Sequence, residues 1–199
     1  MVIIEAQNRQ KPYIIINLSK QFMKMKDFIK EMNQIQVRFS DEDRLLYSDE
    51  FLCKYQNSYK IIPNGKTFKY EDVLLSLVSN NDCSNVEIGM ITLNSEVMEN
   101  ENYFFIGKFE IDCICISKRD GRVVLVENEN RNHVLYECSI NSESFLQAIY
   151  TASYFLSTFT LNDDVSESTN VCYTARKCAN QAGGNLYLAF YSMLLGCYE

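Results

Sequence analysis

The chain has 199 residues, of which 47% are apolar and 13% aromatic, and its net charge is −7. This length suits one well-filled core and is short for two, so we expect a single α+β domain over residues 1–199. The apolar content argues against intrinsic disorder. The acidic balance argues against a nucleic-acid partner, because phosphate contacts need clustered Lys and Arg.

The charge is unevenly distributed along the chain. Residues 1–66 contain eleven Lys or Arg and eight Asp or Glu, whereas residues 67–199 contain eight and eighteen. An acidic face in the later part would attract a basic protein partner and speed the encounter. The alternative is an ordinary solvated surface.

Eight cysteines are scattered at positions 53, 83, 113, 115, 138, 172, 178 and 197. Several lie in apolar runs such as Ile111–Ile116, where a free thiol acts as a small hydrophobic side chain. We therefore expect free thiols and a reducing cytoplasm. The N-terminus has no secretory signal pattern, and the longest apolar run, Leu186–Leu195, is about half the length of a membrane span. No membrane association is expected.

The first part of the chain predicts one amphipathic helix followed by an irregular stretch. An apolar run at Tyr13–Ile16 precedes a helical pattern that Ser19 would cap. Its apolar face would pack on a sheet, and it contains Phe22, Met25, Ile29 and Met32. Residues 37–68 show no regular period, with a turn at Pro63-Asn-Gly65. Tyr70–Val78 predicts a short helix that ends in the polar residues 79–82.

The middle of the chain predicts an antiparallel meander of β-strands. Asn94–Asn102 is expected to be a polar connection, Gly107 to close a strand, and Lys118–Gly121 to form a tight hairpin. Apolar residues on both faces of two runs indicate central strands covered on at least one side by helices. The predicted strands are Val86–Leu93, Tyr103–Ile106, Ile111–Ser117, Arg122–Glu127 and His133–Cys138. We therefore expect a mostly antiparallel twisted sheet of about 5–6 strands, packed against N-terminal and C-terminal helices.

A long amphipathic helix follows the meander. Asn141 is in position to cap it, and its apolar stripe consists of Phe145, Ile149, Ala152, Leu156 and Phe159. Meander and helix together form the expected core, about residues 86–160. A C-terminal helical segment, about residues 174–197, should bend at Gly183-Gly184. Its apolar part, Leu186–Leu195, is expected to be buried or to pack against a partner.

Catalytic and metal-binding patterns are weak. His133 is the single histidine, so a Cys-His pair would have to join it to Cys113, Cys115 or Cys138, and no nucleophile motif supports this. The pairs Cys113-x-Cys115 and Cys172-x₅-Cys178 do not have the spacing of a zinc site. Carboxylate pairs such as Glu110/Asp112 and Glu127/Glu129 arise readily by chance, and Gly183-Gly184 is not a phosphate loop. We therefore expect that the protein is not an enzyme and that it binds no cofactor and no metal ion.

The order of short motifs in the middle region resembles the SUKH superfamily. The motifs are Tyr103-Phe-Phe-Ile-Gly107, Ile114-Cys-Ile116, Asp120-Gly-Arg-Val123, Val126-Glu127, and Ser139–Leu146 with Asn141-Ser142 and Phe145. Family members carry an aromatic F-x-I-G strand, a strand of the type I-C-I/L-D, a D/T-G-x-V hairpin and an N-S-S-x-x-x-F helix start. The resemblance covers a quarter to a third of the chain.

This resemblance implies a mixed sheet packed against helices and, for bacterial members, an immunity protein that binds and neutralises a cognate toxin, often a nuclease or deaminase. Such a protein would be a non-enzymatic binding module. We expect its partner-binding residues on the sheet rim and loops, at Glu127, Glu129, Arg131 and Tyr136. Two alternatives remain: a structural or regulatory scaffold in which Leu186–Leu195 forms an oligomer contact, and an enzyme that uses a cysteine with His133.

Overall fold

The computed structural model describes residues 23–159, 161 and 170–197. The described helices are α1 (Met25–Gln34), α2 (Asp41–Leu46), α3 (Asp49–Gln56), α4 (Val73–Asn80), α5 (Ser142–Leu156), α6 (Val171–Ala182) and α7 (Leu188–Leu195). The described strands are β1 (Ile62–Pro63), β2 (Asn81–Asp82), β3 (Glu87–Ile88), β4 (Ile91–Glu99), β5 (Tyr103–Phe109), β6 (Asp112–Ser117), β7 (Val123–Val126) and β8 (Val134–Ser139). The predicted α+β class is confirmed.

Strands β3 to β8 form one six-stranded sheet in which every strand pairs with its neighbour along the chain. All the described pairs are antiparallel, because short hairpin connections reverse the chain at each step. The predicted antiparallel meander is therefore confirmed, and the mixed sheet that the SUKH resemblance implied is not what these strands form. Strands β1 and β2 make a separate two-stranded ribbon.

Strands β6 and β7 are interior strands, as their apolar sequences predicted. Their inward residues, among them Ile114 and Leu125, belong to the main core shared with the helices. Their outward residues form a second, smaller cluster on the opposite face of the sheet. Both faces of the sheet centre are therefore covered.

The edge of the sheet at β4 differs from the prediction. The expected strand Val86–Leu93 is two strands, β3 and β4, joined by a turn at Gly89 and Met90. The expected polar connection Asn94–Asn102 is wrong, since β4 continues to Glu99. The polar part of β4 contains a bulge, between Leu93 and Met98. There the side-chain amide of Asn94 donates to the Phe105 carbonyl (3.1 Å), and the residues after Asn94 lie mostly at the surface, where polar side chains are accommodated.

Gly107 does not close β5, which continues to Phe109. It pairs with Leu93 of β4. A Cβ atom at this position would lie 2.4 Å from the Thr92 carbonyl oxygen. The glycine therefore permits a close approach of two backbones rather than a turn.

Helices α2 and α3 lie in the segment for which no regular structure was predicted. The Ser40 hydroxyl accepts a hydrogen bond from the Asp43 amide (3.0 Å), and the Asp43 carboxylate accepts one from the Ser40 amide (2.7 Å). Ser48 caps α3 by accepting from the Phe51 amide (3.3 Å). The pair Ser40-x-x-Asp43 is a sequence signal for a helix start. The prediction missed it because the charged residues around it interrupt the apolar period.

Helix α1 starts later than predicted. It begins at Met25, after Lys24 in an extended conformation, so Ser19 is not its N-cap. Ser19, Phe22 and Tyr13–Ile16 lie outside the described residues. Phe28 and Met32 are its buried side chains, and the helix packs on α4 and α5 rather than on the sheet. The predicted face does pack inward, since Met25 and Ile29 lie against the core beside Met32, and the prediction omitted Phe28.

Helices α4 and α5 are joined at their N-termini by one carboxylate. Asp72 caps α4 by accepting from the Leu74 and Leu75 amides (2.8 and 3.0 Å), and it also accepts from the Ser142 hydroxyl of α5 (2.5 Å). Asn141 caps α5 through the Ser144 amide (2.9 Å), as predicted. The predicted helix Tyr70–Val78 is confirmed with later bounds.

The C-terminal pair α6 and α7 bends at Gly183-Gly184, as predicted, with a short 3-10 turn at Asn185–Tyr187. Helix α7 is core: Phe190, Tyr191 and Leu194 are at most 4% exposed. Most of the predicted apolar tail is thus buried in the chain itself, but Leu186 at its start is 66% exposed. The oligomer contact of the scaffold alternative stays a prediction.

A disulfide joins Cys172 at the start of α6 to Cys197 after α7, with the two Cα atoms 5.1 Å apart. The prediction of eight free thiols is wrong for this pair, because the bend between the helices brings residues 25 positions apart together. The other six cysteines are free. A structural disulfide is typical of oxidising compartments, so the cysteine content no longer supports a reducing cytoplasm.

Candidate functional site

The loop between β7 and β8, residues 127–133, lies over the face of the sheet opposite the helices. Its Asn128 amide donates to the Asp112 carboxylate (3.0 Å), and the Arg131 guanidinium lies 4.9 Å from the centre of the Phe105 ring. The loop is closed by the Glu127 amide, which donates to the His133 carbonyl (3.0 Å). These contacts fix the loop on the sheet. We call residues 127–133 the β7–β8 loop.

Beneath the β7–β8 loop lies the small outer cluster of the sheet. Each of its members is at most 7% exposed, although the cluster lies on the face opposite the described helices. They are Phe105, Cys113, Cys115, Val124 and Val126. Besides the Arg131 contact, the Cys113 thiol donates to the Asn128 amide oxygen (3.7 Å). The loop is therefore the cover of an apolar patch that would otherwise face water.

Three of the four predicted partner-binding residues lie together on this loop. Glu129 is exposed, and Glu127 is half-buried with its carboxylate 3.0 Å from Nδ1 of His133. Arg131 is exposed but is held against Phe105. Tyr136 lies apart from them. It is on β8, where it pairs with Leu125 of β7, and it packs against the main core on the other face of the sheet.

A depression that the sequence did not indicate adjoins the loop. Its volume is about 580 Å³, and it is an open surface feature. Its lining includes Tyr103, Ser117, Lys118, Asn132 and Val134. Tyr103 and Ser117 are register partners on β5 and β6. A period-two pattern places each residue on a face but does not give the register between strands, so the sequence held no signal for this grouping.

Charges on the neighbouring rim are largely engaged with one another. Arg122 forms ion pairs with Asp120 (3.5 Å) and Glu137 (3.2 Å), and Lys118 pairs with Glu99. The pKa of the Asp120 carboxyl is lowered, chiefly because the Ser117 hydroxyl hydrogen-bonds to it. The Arg122 pKa is raised, first by the charge of Glu137. This network orders the β6–β7 turn beside the depression.

Two of the three cysteines proposed as partners of His133, Cys115 and Cys138, are buried thiols. Cys115 donates to the carbonyl of Cys113 (3.5 Å) and Cys138 to that of Tyr136 (3.9 Å). Burial raises the pKa of both thiols well above the ordinary value. A cysteine nucleophile requires a lowered pKa, so these two sites have the opposite electrostatics. His133 instead contacts Glu127.

One carboxylate of each predicted pair has a structural partner. Asp112 accepts from the Asn128 amide, and Glu127 contacts His133. Among the described residues, no group of three or more His, Cys, Asp or Glu side chains is arranged to hold a metal ion. None of the described helices has the length and apolar character needed to cross a membrane.

Comparison of the chain with protein-family models, with curated proteins and with solved structures found no significant match.

Proposed function

We propose that this chain is a non-enzymatic protein-binding module, and specifically a SUKH-like immunity protein that neutralises a cognate bacterial toxin by direct binding. The observation that carries the proposal is the β7–β8 loop. Its own contacts hold it on the sheet while Glu129 is exposed beside an open depression. A surface that is ordered before binding loses little conformational entropy when a partner arrives.

The charge of the chain supports a basic partner. The net charge is −7, and the part that contains the sheet and the later helices is the acidic part. Toxins that act on nucleic acid present basic surfaces, so an acidic binder gains in association rate and in specificity. The proposed partner is a nuclease or deaminase toxin of this kind.

The order of elements supports the SUKH assignment within this proposal. The motifs that carry the resemblance lie on β5, β6 and β7 and, after β8, at the start of α5. The Asn141 cap of that helix start has the geometry that the Asn-Ser motif implies. The proposed site of action is the bacterial cytoplasm, where a toxin delivered by a competing cell would meet its inhibitor.

Co-expression with a toxin-like gene adjacent to this one in the genome tests the proposal. We expect co-expression to rescue growth and the two proteins to copurify as a complex in size-exclusion chromatography. A genome that places no toxin-like reading frame beside the gene, together with no rescue by any candidate toxin, contradicts the immunity function.

Charge reversal tests whether the β7–β8 loop forms the interface. We expect Glu129→Lys to weaken toxin binding at least tenfold, chiefly through the dissociation rate. Glu71→Lys is the matched control, because Glu71 is also exposed and lies before α4, outside the loop. Equal binding by the two variants would locate the interface elsewhere while leaving the immunity function standing.

A further inference from the structure

Helices α2 and α3 form a corner of the molecule with an uncovered apolar surface. Leu45 is 86% exposed, Leu46 63% and Phe51 41%, and they lie within seven residues of one another. Each of the two helices has one buried residue, which is Asp43 in α2 and Leu52 in α3. We call Leu45, Leu46, Tyr47 and Phe51 the α2–α3 face.

Aromatic rings give this face a fixed shape. Tyr47 stacks on Phe51 with ring centres 4.9 Å apart and planes at 22°. The Phe51 ring also contacts the Tyr55 ring, and the Tyr55 ring contacts the Phe39 ring, with the ring centres 6.3 Å apart in both pairs. A row of mutually packed rings presents a large contact area with few rotatable bonds, which is the property of residues that dominate protein interfaces.

Carboxylates border the apolar side chains. Asp41 and Glu42 lie one turn before Leu45 and Leu46, and Asp49 and Glu50 begin α3 just before Phe51. All four are exposed. Two basic residues belong to the same helices: Lys54 in the last turn of α3, and Arg44, whose guanidinium lies 5.8 Å from the centre of the Phe39 ring. The border of the leucines is therefore mainly negative.

We propose that the α2–α3 face is a docking surface for a protein partner that presents an apolar ridge flanked by Lys or Arg. Contiguous exposed apolar residues with a charged border mark binding surfaces. The apolar centre would bury leucine and aromatic area, and the four carboxylates would pair with basic side chains at the rim and set the register of the partner.

The same charges argue against other occupants. A second copy of this chain would bring two acidic borders together, which is repulsive. Nucleic acid and anionic lipid surfaces carry the same sign as the border. The proposal depends on α2 and α3 alone and is independent of the β7–β8 loop and of the immunity function.

The probe for this proposal is a fluorescein-labelled amphipathic helical peptide with leucines on one face and lysines on the other. Its matched control has glutamates in place of the lysines. Fluorescence anisotropy should show at least tenfold tighter binding of the lysine peptide, and the affinity should fall as salt concentration rises.

Two variants and a control assign the binding to the face. Leu45→Ser/Leu46→Ser should weaken binding of the lysine peptide at least tenfold, and Glu42→Gln/Glu50→Gln should weaken it about fivefold. Ile111→Ser removes an equally exposed apolar side chain (73%) from the turn between β5 and β6 and should change nothing. In the unmodified protein, the peptide should slow hydrogen exchange in residues 41–56, a readout that needs no variant to fold.

Three results would overturn the proposal: equal binding of the two peptides, unchanged binding by Leu45→Ser/Leu46→Ser, or exchange protection confined to residues outside 41–56. Light scattering tests whether a second copy of the chain occupies the α2–α3 face. A dimer that Leu45→Ser/Leu46→Ser abolishes would assign the face to a second copy of the chain and not to a basic partner.

Discussion

Arg131 was predicted to bind a partner from its expected place on the sheet rim and loops, but its contacts give it a second role, as the cover of Phe105. Its guanidinium lies over the Phe105 ring of the outer cluster, although the residue as a whole is exposed. A loss of partner affinity on mutation of Arg131 could therefore reflect a displaced loop. Glu129 is the cleaner test of binding.

We expect Arg131→Ala to lower the free energy of unfolding by about 1 kcal/mol, since it removes both the cation–π contact and apolar cover. Urea unfolding followed by circular dichroism measures this, and faster amide exchange in the β7–β8 loop should accompany it. Arg119→Ala is the control, because the Arg119 side chain is 87% exposed and pairs only with its neighbour Asp120 among the described contacts. Its effect should stay below about 0.5 kcal/mol. Equal effects of the two variants would mean that Arg131 does not hold the loop.

Substitution of Gly107 and of Gly121 by alanine distinguishes the cost of a steric clash from the cost of an unfavourable backbone conformation. Gly107→Ala should destabilise by about 3 kcal/mol, because its Cβ would meet the Thr92 carbonyl oxygen and β4 would have to move from β5. Gly121→Ala meets nothing within 4 Å and is affected only through its φ of 72°, so about 1 kcal/mol is expected. Urea unfolding of both variants gives the comparison. The reverse order would contradict the close approach of β4 and β5.

At the scale of elements, single side chains fix how helices meet. Asp72 accepts hydrogen bonds from the start of α4 and from Ser142 at the start of α5, 70 residues later. Ser142 is 1% exposed, so its hydroxyl has no water to replace the carboxylate. The helix-capping signal of Asp72 was local, but its link to α5 exists only in the folded molecule.

We expect Asp72→Ala to cost about 2 kcal/mol, as the loss of a cap and of a buried hydrogen bond. A double-mutant cycle with Ser142→Ala should give a coupling energy of about 1 kcal/mol. Ser48→Ala provides the comparison, because Ser48 is an exposed cap with no partner on another helix among the described contacts, and about 0.5–1 kcal/mol is expected. Additive effects of Asp72→Ala and Ser142→Ala would show that the bond between the helices contributes nothing.

For the whole molecule, the Cys172–Cys197 disulfide constrains the C-terminal helix pair on which much of the core depends. Reduction, or the change Cys172→Ser/Cys197→Ser, should lower the free energy of unfolding by about 3.5 kcal/mol for a loop of this length. The protein has no tryptophan, so tyrosine fluorescence and circular dichroism follow the transition. Cys53→Ser alters the exposed free cysteine and should have little effect. Unchanged stability after reduction would show that the bridge is not a restraint on folding.

The redox state of this pair also tests the proposed compartment. Thiol alkylation of cell extracts should find Cys172 and Cys197 reduced if the chain acts in the cytoplasm. A quantitatively oxidised pair in intact cells would assign the chain to an oxidising compartment and would contradict the cytoplasmic part of the proposal.

The sequence by itself determined the class of the fold and most of its local elements. Alternation and turn residues specified β5 to β8, and the Asn141 cap and the Phe145 stripe specified α5, because these signals depend only on residues a few positions apart. The same local logic would have found α2 from Ser40 and Asp43. The sequence also indicated, through its single histidine and scattered cysteines, where catalytic chemistry lacked support.

Tertiary structure alone decided which residues share a surface. It separated Tyr136 from Glu127, Glu129 and Arg131, paired Cys172 with Cys197, and left the leucines of α2 uncovered. Register, the crossing of distant segments and solvent exposure depend on contacts between residues far apart in the chain, and no local pattern encodes them. The same reason explains why the sequence placed partner-binding residues on this loop but did not show that Arg131 contacts Phe105.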